Sequence, residues 1–247
     1  WRQEDIAKAF REQNFNVFQK SSKPLIIGEF GTSKFFRKEI MDKESISNKE
    51  IHEAVDPMGI NFHNGLWAGV FSGSIGALPW FVRDYVDKLD LYDVFTPLSK
   101  YTADWKISLP WTPVNVITRF NGEEDLTYRT FALTYEDETR IWIQNKKFNH
   151  ISHYKREGAK EVRPVDIIVP VEEDGAYTAE WWNTFTGEIV DTQRINSSHG
   201  ELILPFSGTT EVSSVCQVLS PRQYCAVVPE EMAGSLLLNV FQSVLER

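Results

Sequence analysis

The chain has 247 residues, 42% apolar, 13% aromatic and 25% charged, a composition that buries enough surface to offset chain entropy and excludes wholesale disorder. A formal net charge of -9 and a pI near 5.1 exclude non-specific binding to nucleic acid or to an anionic membrane surface, since either would repel it. Two cysteines, Cys216 and Cys225, are too few for a disulfide framework or a four-ligand zinc site, and no run reaches the roughly 18 apolar residues that cross a bilayer.

The chain opens Trp1-Arg2-Gln3-Glu4, without an initiator methionine or a charged-then-apolar leader, as a mature form or a piece of something longer would. In residues 3–20, Ile6, Phe10 and Val17 recur near helical spacing among polar residues, which predicts an amphipathic helix. Residues 25–31, Leu-Ile-Ile-Gly-Glu-Phe-Gly, are a short apolar run bounded by Pro and Gly, the pattern of a strand buried in a parallel sheet. Glu29 falls at its carboxyl end. The polar stretch 32–56 reads as a long loop with a helical turn at 37–43. Residues 61–73 are small and apolar enough for a helix packed tightly on a sheet, 75–81 form a second buried strand, and 91–105 form a helix through Leu91, Phe95, Leu98 and Tyr101. That alternation belongs to α/β proteins with parallel sheets.

From Pro110 the period changes to two. Residues 128–135 and 139–144 alternate about Glu136-Asp137-Glu138 as a hairpin, and 165–171, 177–185, 187–191 and 201–206 add strands with turns at Asp174-Gly175, Thr186-Gly187 and His199-Gly200. Short strands between turn signals predict an antiparallel β-sandwich. The expected organisation is therefore α/β over 1–109, all-β over 110–211, and an atypical tail over 212–247 that loses the strand rhythm and ends in an amphipathic helix.

Few side chains are candidates for chemistry. Glu29, between Gly28 and Gly31, lies where ligands bind in α/β folds, beyond the carboxyl ends of strands, and the glycines permit close approach. Trp80, at the matching end of the second strand, is either core or a flat platform of the kind sugar rings stack against. His63 and Asn64 either cap a helix or face the same pocket. Trp181 and Trp182 cannot both face inward, because successive strand residues point to opposite sides. His150 and His153 lack partners at metal-ligand spacing, and no nucleophile elbow, Walker loop or dinucleotide fingerprint occurs.

Lys23-Pro24-Leu25-Ile26-Ile27-Gly28-Glu29-Phe30-Gly31, His63-Asn64-Gly65-Leu66-Trp67-Ala68 and Gly76-Ala77-Leu78-Pro79-Trp80 together resemble the end of a clan A glycoside hydrolase barrel, with the nearest likeness to family 5, the cellulase and mannanase-like group. The resemblance covers residues 1 to about 211. It implies the C-terminal fragment of a (β/α)8 TIM barrel followed by an antiparallel β-sandwich, and a retaining hydrolase of β-linked glycans. It gives Glu29 the role of catalytic nucleophile and Trp80 that of the floor under the reacting sugar, with His63 and Asn64 as further substrate-binding residues. It implies no metal and no organic cofactor, a carbohydrate substrate, and an extracellular or secreted location. A complete barrel needs eight βα units, and only two fit here, so the missing N-terminal barrel portion becomes an expected partner. Retaining hydrolysis needs a second carboxylate about 5 Å from the nucleophile, which the family takes from an Asn-Glu pair. This sequence holds no such pair, so the isolated chain is expected to be inactive. A non-catalytic carbohydrate-binding or structural module, with Trp181 or Trp182 as stacking platform, is the alternative.

Overall fold

A computed structural model describes residues 2–3, 5–18, 20, 23, 25–32, 34–47, 50–79, 82–106, 109–136, 138–156, 163–207 and 214–219. They form a mixture of helices and three sheets, none of which closes into a barrel. Trp80, Cys225 and the helix expected over 230–247 lie outside the described residues.

The first sheet is parallel. Strand β1 (Arg2–Gln3), unforeseen in the sequence, pairs with β2 (Leu25–Thr32), which pairs with β3 (Ser74–Pro79). Helices α1 (Ile6–Phe18) and α4 (Ile60–Phe71) pack on this sheet, and every residue of α4 is buried. Two glycines make that close approach possible. A Cβ on Gly65 would meet the Phe30 ring at 2.2 Å, and one on Gly69 would meet Ala77 at 2.8 Å.

The stretch 32–56 is not a loop: it contains α2 (Lys34–Glu44) and α3 (Ile51–Val55). The helical turn expected at 37–43 is part of α2, but polar composition hid its full length and all of α3, whose few apolar residues suffice because they meet in a satellite cluster. Ile40, Ile51 and Val55 pack there with Met41, Ile46, Ile151 and Tyr154, the last two from α6 (His150–Tyr154). The helix foreseen over 91–105 is shorter, a 3-10 turn at Leu91–Val94 followed by α5 (Phe95–Tyr101).

The rest is antiparallel. One sheet contains β4 (Thr112–Pro113), β7 (Tyr128–Tyr135), β8 (Glu138–Asn145), β10 (Ala176–Asn183), β11 (Glu188–Asn196) and β13 (Ser214–Leu219) in the order β11-β10-β13-β8-β7-β4. The other contains β5 (Ile117–Phe120), β6 (Glu123–Glu124), β9 (Val165–Pro170) and β12 (Glu201–Phe206) in the order β12-β9-β5-β6. Ser214–Leu219 falls in the stretch expected to be an atypical tail, yet it is a central strand paired on both sides, with β10 and with β8.

The central strands of the six-stranded sheet, β7, β8, β10 and β13, are packed on both faces, whereas the edge strand β11 is exposed along most of its length. Ala132, Ile141, Ile143, Ala179, Trp181, Cys216 and Val218 meet Val165, Ile167, Val169, Leu202, Leu204 and Phe206 of the four-stranded sheet in one core. Phe131, Leu133, Trp142 and Trp182 turn the other way and join Phe10, Phe30, Trp67, Phe71 and Tyr101 of the α/β half in a second. The two adjacent tryptophans are thus divided as strand geometry requires. Trp181 stacks on Phe206 at 5.3 Å, whereas Trp182 meets Tyr101 edge-on at 5.5 Å.

The glycine seam yields a test. Gly65→Ala gains helix propensity of about 1 kcal/mol, but its methyl collides with a fully buried ring, and overpacking costs about 1–3 kcal/mol. A lower melting temperature is expected for Gly65→Ala, with no comparable loss for Gly76→Ala, whose added Cβ would meet nothing within 4 Å.

Candidate functional site

On β2 the buried residues Ile27 and Phe30 are three apart, where regular alternation would place them two or four apart. The ladder to β3 pairs Ile27 with Ala77 and Phe30 with Pro79, and its register shifts between them. An extra residue is accommodated at Gly28-Glu29 and re-aims the strand, as β-bulges do. Gly28 and Glu29 are consequently both exposed, between residues that face α4. A Cβ on Gly28 would meet nothing within 4 Å, so the approach to Glu29 from that side is open. Ile26 and Ile75 are also exposed and leave part of this small sheet uncovered. The strand runs on to Thr32, so Glu29 precedes its end by three residues.

A polar layer lies at the same ends of β2 and β3. The Asp56 carboxylate accepts hydrogen bonds from the backbone N–H groups of Ile60 (2.7 Å) and Asn61 (2.9 Å) and from the Tyr85 hydroxyl (2.6 Å). It therefore serves two of the orphan donors at the start of α4. Complete burial pushes its carboxyl up to about 7, against the opposing pull of these donors. Asp56, Tyr85, Asn61 and His52 line a cavity of about 10 Å³ closed by Phe30, Gly31, Phe62 and Pro79, a volume on the order of one water molecule. The sequence reading passed over Asp56. The signal was present in Asp56-Pro57-Met58-Gly59, a turn with an acidic residue ahead of an apolar helix.

His63 and Asn64 lie one turn into α4, so capping falls to Asp56 and not to them. Both are buried, at 1% and 2% exposure. The Asn64 amide donates to the Phe148 carbonyl at 2.9 Å, and His63 Nε2 donates to the Thr184 carbonyl at 3.2 Å. The imidazole stacks on Phe185 at 4.1 Å with planes 3° apart. These two residues tie α4 to the β-rich half. Burial pushes the His63 imidazole down to about 4. His150 is pushed down to about 3, first by burial and then by the His52 charge. Among the described residues no group of three His, Cys, Asp or Glu side chains is placed to hold a metal ion.

These groups set an acid response. Below the ordinary histidine value of 6.5, and down to about pH 4, the folded chain binds two protons fewer than the unfolded chain at His63 and His150. Over that window it binds one proton more at Asp56, whose folded value near 7 exceeds the ordinary 3.8. The net deficit of one proton lowers stability as pH falls, by about 1.4 kcal/mol per pH unit from these three groups. Asp56→Asn removes the opposing term and is expected to double this slope, whereas His63→Gln flattens it. Urea denaturation of the variants between pH 4.5 and 7 measures both.

No protein-family model matches the chain, and no curated protein matches it. Among solved structures, it is similar to a glycoside hydrolase family 5 protein from Bacteroides vulgatus at 13% identity and a TM-score of 0.45, over 76% of this chain and 42% of that one. It is similar to a second glycoside hydrolase at 16% identity and 0.46, over 86% and 47%. An Anoxybacillus alpha-amylase follows at 13% and 0.37, over 85% and 46%. The chain spans less than half the length of each of these proteins.

Proposed function

We propose that this chain is the carboxy-terminal part of a retaining glycoside hydrolase, with Glu29 as the nucleophile and Trp80 as a support for the reacting sugar. On this reading the parallel strands β1, β2 and β3 are the last piece of a (β/α)8 barrel and the two facing antiparallel sheets are its accessory sandwich, with the junction near Pro110. The reading is carried by one observation: the bulge at Gly28-Glu29 exposes a carboxylate beside an unobstructed glycine on a strand otherwise packed on a helix. It is supported by the Gly28-Glu29-Phe30-Gly31 and His63-Asn64-Gly65-Leu66-Trp67-Ala68 segments that resemble family 5.

In such a reaction Glu29 attacks the anomeric carbon and the glycosidic oxygen leaves with a proton from an acid. Water then releases the sugar from the ester while the same acid, now a base, takes a proton. Asp56 is not that acid, because its oxygens are held by Tyr85 and the start of α4. The acid/base is assigned to the barrel portion outside this sequence, and with it the choice of glycan. His63 and Asn64 act by fixing α4 in place. The stacking-platform alternative is weakened by the burial of Trp181 and by the packing of half-buried Trp182 against Tyr101.

Incubating the full-length gene product with a 2-deoxy-2-fluoro β-glycoside bearing an activated leaving group tests the proposal. A covalent sugar on the peptide containing Glu29, absent in Glu29→Gln, is the expected outcome. Labelling of a different carboxylate, or hydrolysis with inverted anomeric configuration, would sink it. The 247-residue chain alone is expected to release no aryl alcohol above background.

A further inference from the structure

A cleft of about 910 Å³ opens between α1, the end of α4 and strands β5 and β7, away from Glu29. Its size falls in the range of small-molecule sites. Phe71, Val116, Phe131 and Ala132, all buried apolar residues, form its deep wall. Four cations converge on it: Lys8 and Arg11 from α1, Arg129 from β7, and Lys146, which directly follows β8. Such a concentration is unexpected in a chain of net charge -9.

The four cations are not equivalent. Arg129 is neutralised by a bidentate pair with Asp5, at 2.9 and 2.7 Å, and also donates to Gln144. Lys8 lies 3.8 Å from Glu12 along its own helix. Arg11 sits over the Phe131 ring, 5.6 Å from its centroid, and Lys146 donates to the Leu126 carbonyl at 2.7 Å. Among the described residues neither Arg11 nor Lys146 has a carboxylate within ion-pair distance. Arg11 is disfavoured as a cation first by burial and then by Arg129. Lys146 is disfavoured first by burial and then by Arg129 and Arg11, while Asp125 and Glu124 oppose that shift. Three acids line the cleft: Glu12 beside Lys8 on α1, Asp125 paired with Arg163 at 2.8 Å, and exposed Glu124.

We propose that this cleft binds a small molecule through a carboxylate or phosphate group held between Arg11 and Lys146, with the rest of the ligand against the Phe71 and Phe131 wall. An oxyanion there supplies what the two cations lack and offsets their mutual repulsion. Arg11 contributes a planar fork of donors suited to either group, and Lys146 contributes a point charge. The site uses no atom of Glu29 and stands apart from the hydrolase reading.

Calorimetric titration of the full chain with glucuronate, inorganic phosphate and, as a neutral control, glucose tests the assignment. Glucuronate or phosphate is expected to bind and to weaken with added salt, while glucose does not bind. The tighter of the two anions identifies the source of the charge, organic carboxylate or phosphate. Arg11→Gln and Lys146→Gln should each weaken binding by about 10-fold, the loss of one charge-assisted contact. Glu124→Gln, which removes one of the three acids, should tighten it. Failure of both anions to bind, equal binding of glucose, or unchanged affinity in all three variants overturns the proposal.

Discussion

The central strands of the six-stranded sheet are packed on both faces, and the rest of the molecule is arranged around that constraint. Strand alternation sends Ile141 and Ile143 to one side and Arg140 and Trp142 to the other, so a single strand serves two cores. Arg140 is the demanding member. It is 1% exposed, and a charge so placed is tolerated only when paired and hydrogen-bonded. Glu138 and Asp104 pair with it, the Tyr101 carbonyl accepts at 3.1 Å, and the rings of Tyr101 and Trp105 lie about its guanidinium at 5.1 and 4.9 Å. Glu138 shares the strand with Arg140, whereas Tyr101, Asp104 and Trp105 come from α5 and the turn after it. The polar centre of the interface therefore fixes how the α/β half sits on the sheet, with aromatic rings packed about it.

Helix α4 carries that arrangement to the parallel strands. On one side its glycines admit Phe30 and Ala77; on the other, His63 and Asn64 hold backbone carbonyls of the β-rich half. Its first turn is pinned by Asp56, which also holds Tyr85. The strand bearing Glu29 is thus positioned by a helix that is itself clamped from three directions. Irregular backbone persists only where its surroundings over-determine it, and the bulge at Gly28-Glu29 has such surroundings.

Local pattern carried much of this fold. The period-two runs from Tyr128 onward became strands because alternation is a property of neighbouring residues, and residues 201–206 match β12 at both ends. The small, apolar face of α4 was legible for the same reason. Features that depend on distant partners were not. Thr184 and Phe148, which engage His63 and Asn64, lie far along the chain and leave no local trace. Helix α2 was legible only as a turn at 37–43 and α3 not at all, because a satellite cluster needs only a few apolar residues. The exposure of Glu29 was legible only as a position near glycines, since the bulge arises from register with β3. The basic cleft assembles α1 with strands more than a hundred residues later, beyond the reach of any spacing argument.

Strand β13 occupies an interior position between β10 and β8 although it follows every other described element in the chain. Until it emerges during synthesis, the β11–β10 ribbon and the β8–β7–β4 ribbon have no ladder between them, and each carries an unpaired edge of the kind that recruits other chains. Pairing β13 with β8 requires a contact across α6, β9, β10, β11 and β12, a long separation whose closure slows folding. Among the described strands, translation thus delivers the keystone last. The interval before its arrival is when this protein is most exposed to mispairing, and a chaperone or a pre-folded neighbouring segment has most to protect then.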